Sequence, residues 1–132
     1  MINIVLDTNV IISATISSLG NPAKIISLIA ADENMQIYYS SEILAEYAKV
    51  LSYGRLNFSE EKKAHALNVI KKYGLLIQPT TISEIPFIDE SDRIFYDTAE
   101  AGNAYLVTGN LKHYPEESHI LTPAQFVEMF EK

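Results

Sequence analysis

The sequence predicts an α/β fold: a three-layer α/β/α sandwich with a mostly parallel central sheet. Three observations carry this. The run Ile2-Asn3-Ile4-Val5-Leu6 is apolar and β-branched and leads straight into Asp7. It reads as a buried parallel strand with a carboxylate at its carboxyl end. Strand-like and helix-like patterns then alternate along the chain, which implies right-handed crossovers and helices on both faces of the sheet. A later run, Ala104-Tyr105-Leu106-Val107-Thr108, reads as a fourth, fully buried strand.

The elements follow in order. The first strand spans about Asn3 to Asp7. The next element read is a helix opening at Asn21-Pro22, with Asn as cap and Pro at the first helical position. Ile25, Ile26, Leu28 and Ile29 supply its apolar stripe. Gln36 to Ser40 is a short second strand. Ser41 caps a helix to about Tyr53, along which Ile43, Leu44, Tyr47, Val50 and Leu51 recur at helical spacing, and Gly54 ends it. Ser59-Glu60-Glu61 opens a helix with acids in its first turn, where the dipole favours them. That helix runs to about Tyr73 and stops at Gly74. Leu75 to Gln78 is a third strand, and Thr80 to Ile88 a loop. Ser91 caps a helix from Asp92 to about Ala101, closed by Gly102. Ile120-Leu121 is a fifth strand. Thr122-Pro123-Ala124-Gln125 is a capping box that opens the last helix, which turns Phe126, Val127 and Phe130 inward.

At 132 residues the chain has the length of one domain with a single sizeable core, 1–132. It lacks cysteine, so disulfides and thiolate metal sites are excluded. No apolar stretch reaches membrane-spanning length, and Met1 leads into a core strand rather than a targeting segment; no membrane partner and a cytoplasmic location are expected. The formal net charge of −7 argues against non-specific duplex binding, less so against an enzyme whose acidic pocket recruits cations. The basic residues Arg55, Lys62, Lys63, Lys71 and Lys72 cluster in one region. They read as a solvated helical face, or more sharply as a nucleic-acid contact arm.

Three acids recur at equivalent places. Asp7 ends the first strand, Glu46 lies about one turn into the helix after the second, and Asp92 begins the helix before the fourth. A parallel sheet gathers its strand ends and the following helix starts on one side, where ligands of open α/β sheets collect. Convergent carboxylates repel unless neutralised. Hard oxygen ligands with no Cys and few His suit Mg2+ or Mn2+. A cation held there can activate water and stabilise charge developing at phosphorus, so phosphodiester hydrolysis is the reaction class expected. Each acid also has a plainer role: Asp7 as a turn cap, Glu46 as a solvent-reaching helix residue, Asp92 as a first-turn acid.

Four stretches, taken in order, resemble the PIN-domain family, of the bacterial and archaeal type often paired with an antitoxin. They are Val5-Leu6-Asp7-Thr8-Asn9-Val10, Ser40-Ser41-Glu42-Ile43-Leu44-Ala45-Glu46-Tyr47, Asp89-Glu90-Ser91-Asp92-Arg93-Ile94-Phe95-Tyr96-Asp97-Thr98-Ala99 and Tyr105-Leu106-Val107-Thr108-Gly109-Asn110. The resemblance implies a metal-dependent ribonuclease. It places the family's acids on Asp7, Glu46 and Asp92, and its polar pocket positions on Thr8, Asn9 and Thr108. Many relatives carry a fourth acid directly after the Thr-Gly pair or three residues later, where this chain has Asn110 and His113. Asn110 can ligate without charge; His113 can ligate manganese, contact phosphate, or stand as a surface residue. Asp97 is a further metal candidate, although it lies roughly 140° round the helix from Asp92. Asp89 is another.

The leading expectation is therefore an endoribonuclease using Mg2+ or Mn2+, acting on single-stranded or looped RNA and leaving 5′-phosphate and 3′-hydroxyl ends. The resemblance implies an antitoxin partner and a homodimer; Tyr38, Tyr39, Tyr47, Tyr53 and Phe58 serve either such an interface or the core. A degenerate PIN-fold module that binds a partner without cleaving is the alternative. An aspartyl-phosphate phosphatase also starts with a strand ending in Asp, but needs a second acid where Asn9 stands.

Overall fold

A computed structural model describes residues 1–131. Five parallel strands form one sheet in the order β3-β2-β1-β4-β5. They are β1 (Ile2–Leu6), β2 (Met35–Tyr39), β3 (Gly74–Leu76), β4 (Tyr105–Val107) and β5 (Ile120–Leu121). Six helices flank them: α1 (Thr8–Ile16), α2 (Asn21–Ala31), α3 (Ser41–Leu51), α4 (Glu60–Lys72), α5 (Arg93–Gly102) and α6 (Pro123–Phe130). This is the α/β/α sandwich with a parallel sheet that the sequence predicts. Among the described residues no helix is long and apolar enough to cross a membrane.

The strand order decides where a ligand can bind. From β1 the chain winds outward to β2 and β3, then returns through α5 to β4 on the other side of β1. Right-handed crossovers put α5 on the opposite face from α1 and α2. α5 packs across β1, β2 and β4, while α2 packs on β2, α1 and α6. The winding direction therefore reverses between β1 and β4. A crevice opens outside their carboxyl ends, and Asp7 and Thr108 are the residues that follow those ends.

The central strands are buried on both faces, so they are apolar throughout: Ile4, Val5, Leu6, Leu106 and Val107 are all inaccessible. Tyr47, Phe95 and Phe126 are the largest side chains fully buried against them. Tyr39 and Tyr47 belong to this core, Tyr38 and Phe58 are half-buried against it, and Tyr53 is exposed.

Several boundaries differ from the sequence reading. α1 has no counterpart in it. Its run of Val10, Ile11, Ile12 and Ile16 is β-branched and reads poorly as helix. Burial of Val10 and Ile11 outweighs that propensity, and the Asp7 carboxylate caps the start by accepting from Thr8 N at 2.8 Å. Ser40 rather than Ser41 caps α3, accepting from Ile43 N at 3.1 Å. α3 stops at Leu51, and Gly54 opens a short 3-10 turn instead of ending the helix. Gly20 rather than Asn21 is the cap residue of α2. Gly102 closes α5 from inside, because a Cβ there would overlap the Tyr38 ring, and the left-handed position falls to Asn103 at φ 49°. The capping box at Thr122 and Gln125 forms as read, with reciprocal bonds of 3.1 and 2.9 Å.

Candidate active site

Asp7 is held from four sides. Its Oδ1 accepts from the Thr8 amide at 2.8 Å. Its Oδ2 accepts from Thr108 Oγ1 at 2.7 Å, Tyr114 OH at 3.1 Å and Asn9 Nδ2 at 3.4 Å. Thr108 in turn accepts from the Asn110 amide at 3.0 Å, and Asn9 Oδ1 accepts from the Gly109 amide at 2.9 Å. The two strand ends are thus stitched together through side chains, and Asp7 is only 5% exposed. Burial raises its pKa, with Thr108, Thr8 and Tyr114 opposing as donors to the charged form.

Asp92 faces Asp7 across the crevice. A 3-10 turn over Glu90–Asp92 leads into α5, and Asp92 is its buried end. Its Oδ2 lies 3.0 Å from His113 Nδ1, and its Oδ1 lies 3.5 Å from the Tyr114 hydroxyl. Burial, and then the Asp7 charge, push its pKa up to about 6, against the pull of His113. Asp89 precedes this turn at the surface and caps it through Ser91, bonding the amide at 3.0 Å and the hydroxyl at 2.8 Å. Those bonds lower its pKa.

Asp7, Thr8, Asn9, Glu46, Asp89, Asp92, Asn110 and His113 line one cleft of about 380 Å³. Thr108 is buried directly beneath Asp7. Asp97 is not brought to this cleft. Both of its carboxylate oxygens face the Ser83 amide, at 3.2 and 3.3 Å, and it lines a separate hollow with Thr80, Thr81 and Tyr96. The reason is helix phase: five residues of rotation turn it away from the face Asp92 presents. The fourth corner carries no acid; His113 is engaged with Asp92, and Asn110 stands exposed at the rim.

Tyr114 is the site residue that sequence reasoning passes over. Its hydroxyl touches both aspartates, and its ring packs edge-on to Phe87 at 6.0 Å. Burial and the Asp7 charge drive its pKa far upward, so it stays a donor. The available signal was a phenol in the loop that follows β4. Replacing Tyr114 by Phe keeps the ring packing and removes the donor. Mn2+ affinity, measured by calorimetry, is expected to fall about tenfold, as when an outer partner of a metal ligand is removed. Unchanged affinity would leave Tyr114 a packing residue only.

The donor set suits a hard divalent cation: two aspartates that burial holds toward their protonated forms, Asp92 further so by the Asp7 charge, a third acid at Glu46, and no sulfur. Thr8 Oγ1 is a buried oxygen with no partner among the described residues, beside Asp7 in the same cleft. The three cleft acids are not drawn together as tightly as Glu100, Glu117 and His119, whose ligand atoms lie within 4.8 Å of one another on another face. There His119 lies 3.3 Å from Glu100 and 3.8 Å from Glu117.

The raised pKa values predict a pH dependence. Folded Asp92 holds its proton up to about pH 6, whereas the unfolded residue releases it near 3.8. Between these values the folded state binds more protons, so this contribution to stability is full below about 3.8 and is lost as pH rises through about 6. In thermal melts of cation-free protein, Asp92→Asn is expected to gain a few °C on the wild type between pH 4.5 and 7.5. A difference in Tm that does not change with pH would refute the shift.

Comparison with known proteins is consistent with this geometry. Residues 3–112 match the family described as PIN domain. The uncharacterized protein MJ1680 of Methanocaldococcus jannaschii is 33% identical over 146 residues, covering 99% of this chain and 93% of that protein. A crystal structure of VapBC2 from Rickettsia felis, bound to a DNA fragment from their promoter, contains a chain with the same fold. It superposes with a TM-score of 0.67 at 22% identity, covering 92% of this chain and 97% of that one.

Proposed function

Because this chain belongs to the PIN-domain family, we propose that it is a divalent-cation-dependent endoribonuclease and the toxin half of a cytoplasmic toxin–antitoxin pair. The observation that carries the reading is the pairing of Asp7 and Asp92 across the crevice between β1 and β4, each with a raised pKa. Burial penalises both carboxylates, and the Asp7 charge adds to the penalty on Asp92, so the pair is costly without a cation.

Asp7, Glu46 and Asp92 would hold Mg2+ or Mn2+, with Thr8 Oγ1 as an added oxygen. When bound, such an ion acts as a Lewis acid on the phosphate and makes water a better nucleophile. The chain's own residues do the rest. Thr108, Thr8 and Tyr114 orient the two oxygens of Asp7 so that it meets a ligand in one geometry. Asn9 ties the Gly109 amide to the start of α1 and keeps the cleft wall in place. His113 steadies Asp92, and Asn110 at the rim can donate its amide to a phosphate oxygen. The Rickettsia felis assembly supports a protein partner for this chain, an antitoxin in this reading; a second copy of the chain is a further partner that the family resemblance implies.

The test is cleavage of a labelled RNA panel with Mn2+ or Mg2+, read as 5′-phosphate and 3′-hydroxyl ends and abolished by chelation. Absence of both cleavage and Mn2+ binding would replace this reading with a partner-binding module that has lost its chemistry.

A further inference from the structure

The cleft is acidic and the whole chain carries −7, so a polyanionic strand needs a local attraction besides the cation. Among the described residues, Arg55 is the one guanidinium or ammonium group lining the cleft. Glu46 and Val50 lie one turn apart on α3, Tyr53 follows just past its end, and all three line the same cleft. Tyr53 and Arg55 stand at its outer end. The 3-10 turn Gly54–Leu56 joins them, closed by Asn57 in the left-handed region at φ 50°. The turn places the Arg55 guanidinium 5.5 Å from the centroid of the exposed Tyr53 ring. Next in the chain, Leu56, Asn57 and Phe58 line a second hollow, where Lys62 lies over the Phe58 ring at 5.8 Å.

The basic cluster seen in the sequence is thereby divided. Lys63 is paired with Glu60 at 3.0 Å, and Lys71 and Lys72 belong to the far end of α4. Lys72 lies over the Tyr73 ring at 5.3 Å, at that far end; Arg55, over Tyr53, is the member that lines the cleft, and Lys62, over Phe58, belongs to the first turn of α4 that follows in the chain. Alternation of π-faces and cations along one groove is how proteins hold an unpaired strand, since every base offers a face to stack and every phosphate a charge to meet. A duplex hides its base faces and gains nothing from the rings.

We propose that Tyr53 and Arg55, continued by Phe58 and Lys62, form a binding track for single-stranded RNA that feeds the scissile phosphate to Asp7 and Asp92. A base stacks on Tyr53, while Arg55 and Lys62 meet the phosphates on either side. This assignment rests on the nuclease reading above and adds the strand's path and the residues that select an unpaired substrate.

The test uses the full chain carrying Asp7→Asn, so that the strand survives, and a fluorescent 12-nucleotide RNA, single-stranded or annealed to its complement. Anisotropy is read across a salt series. Tyr53→Ala is expected to weaken single-strand binding at least about fivefold with little effect on the duplex, and Tyr53→Trp to retain it. Arg55→Ala is expected to weaken binding and reduce the slope of log affinity on log salt by about 0.7, the value for one phosphate no longer neutralised on a single strand. Lys71→Ala serves as the remote control and should match the parent. Single-strand binding by the parent with both alanine variants within about twofold of it would overturn the track and leave the nuclease reading standing. Failure of the wild type to cleave, together with failure of the parent to bind RNA, would overturn both.

Discussion

Asp7→Asn is expected to lower RNA cleavage at least about 100-fold, the rate equivalent of about 3 kcal/mol of lost transition-state stabilisation. The substitution keeps the shape of the side chain and one acceptor oxygen. It removes the charge that a cation and Asp92 both respond to. The same variant is expected to melt at or above the wild-type temperature without added cation. Burial penalises the Asp7 carboxylate, as its raised pKa records, and the neutral amide escapes that penalty. Activity lost with stability kept is the signature of a residue held in place for chemistry. Cleavage assays with Mn2+ alongside thermal melts measure both. Retained cleavage would dismiss Asp7 as a functional group, and a collapsed melting temperature would make it a structural cap for α1.

Tyr47→Ala is expected to destabilise the fold by about 3–5 kcal/mol, the range for deleting a large aromatic from a packed core. Tyr47 is completely buried, packs on Phe95 with ring centroids 6.2 Å apart, and donates its hydroxyl to the Leu6 carbonyl. That carbonyl belongs to the last residue of β1, directly before Asp7. The side chain therefore joins α3 to the strand end that carries the site, one residue after Glu46. Tyr47→Phe separates the two roles, since it preserves the packing and should cost only about 1 kcal/mol for the missing hydrogen bond. Chemical denaturation of the three proteins measures both steps. Equal stability of the alanine and phenylalanine variants would place all the value in the hydroxyl.

The legible parts of this structure are those that depend on local pattern. The β1 and β4 runs are apolar because both faces of a central parallel strand are covered, so their periodicity is visible without any tertiary knowledge. The capping box at Thr122, the cap at Ser59 and the helical stripe of α3 are local in the same sense. α1 was illegible because its β-branched residues carry the opposite propensity, and only burial against the sheet reverses it. The position of Asp97 shows a different limit. Its place in a well-formed motif made it a metal candidate, but helix rotation sets it against Ser83, away from Asp92.

By itself the sequence determined a parallel α/β/α sandwich with Asp7 at a strand end, Glu46 on a helix and Asp92 at a helix start near the same rim. Those are consequences of periodicity and of the one-sidedness of parallel strand ends. Tertiary structure alone decided that the winding reverses between β1 and β4, that Tyr114 bridges Asp7 and Asp92, that His113 pairs with Asp92, and that Arg55 reaches the cleft on the Tyr53 ring. The physical reason is range. A strand or a cap is written in neighbouring residues, whereas the contact between Asp7 and Tyr114 joins positions 107 apart in the chain and exists only once the sheet has closed the distance.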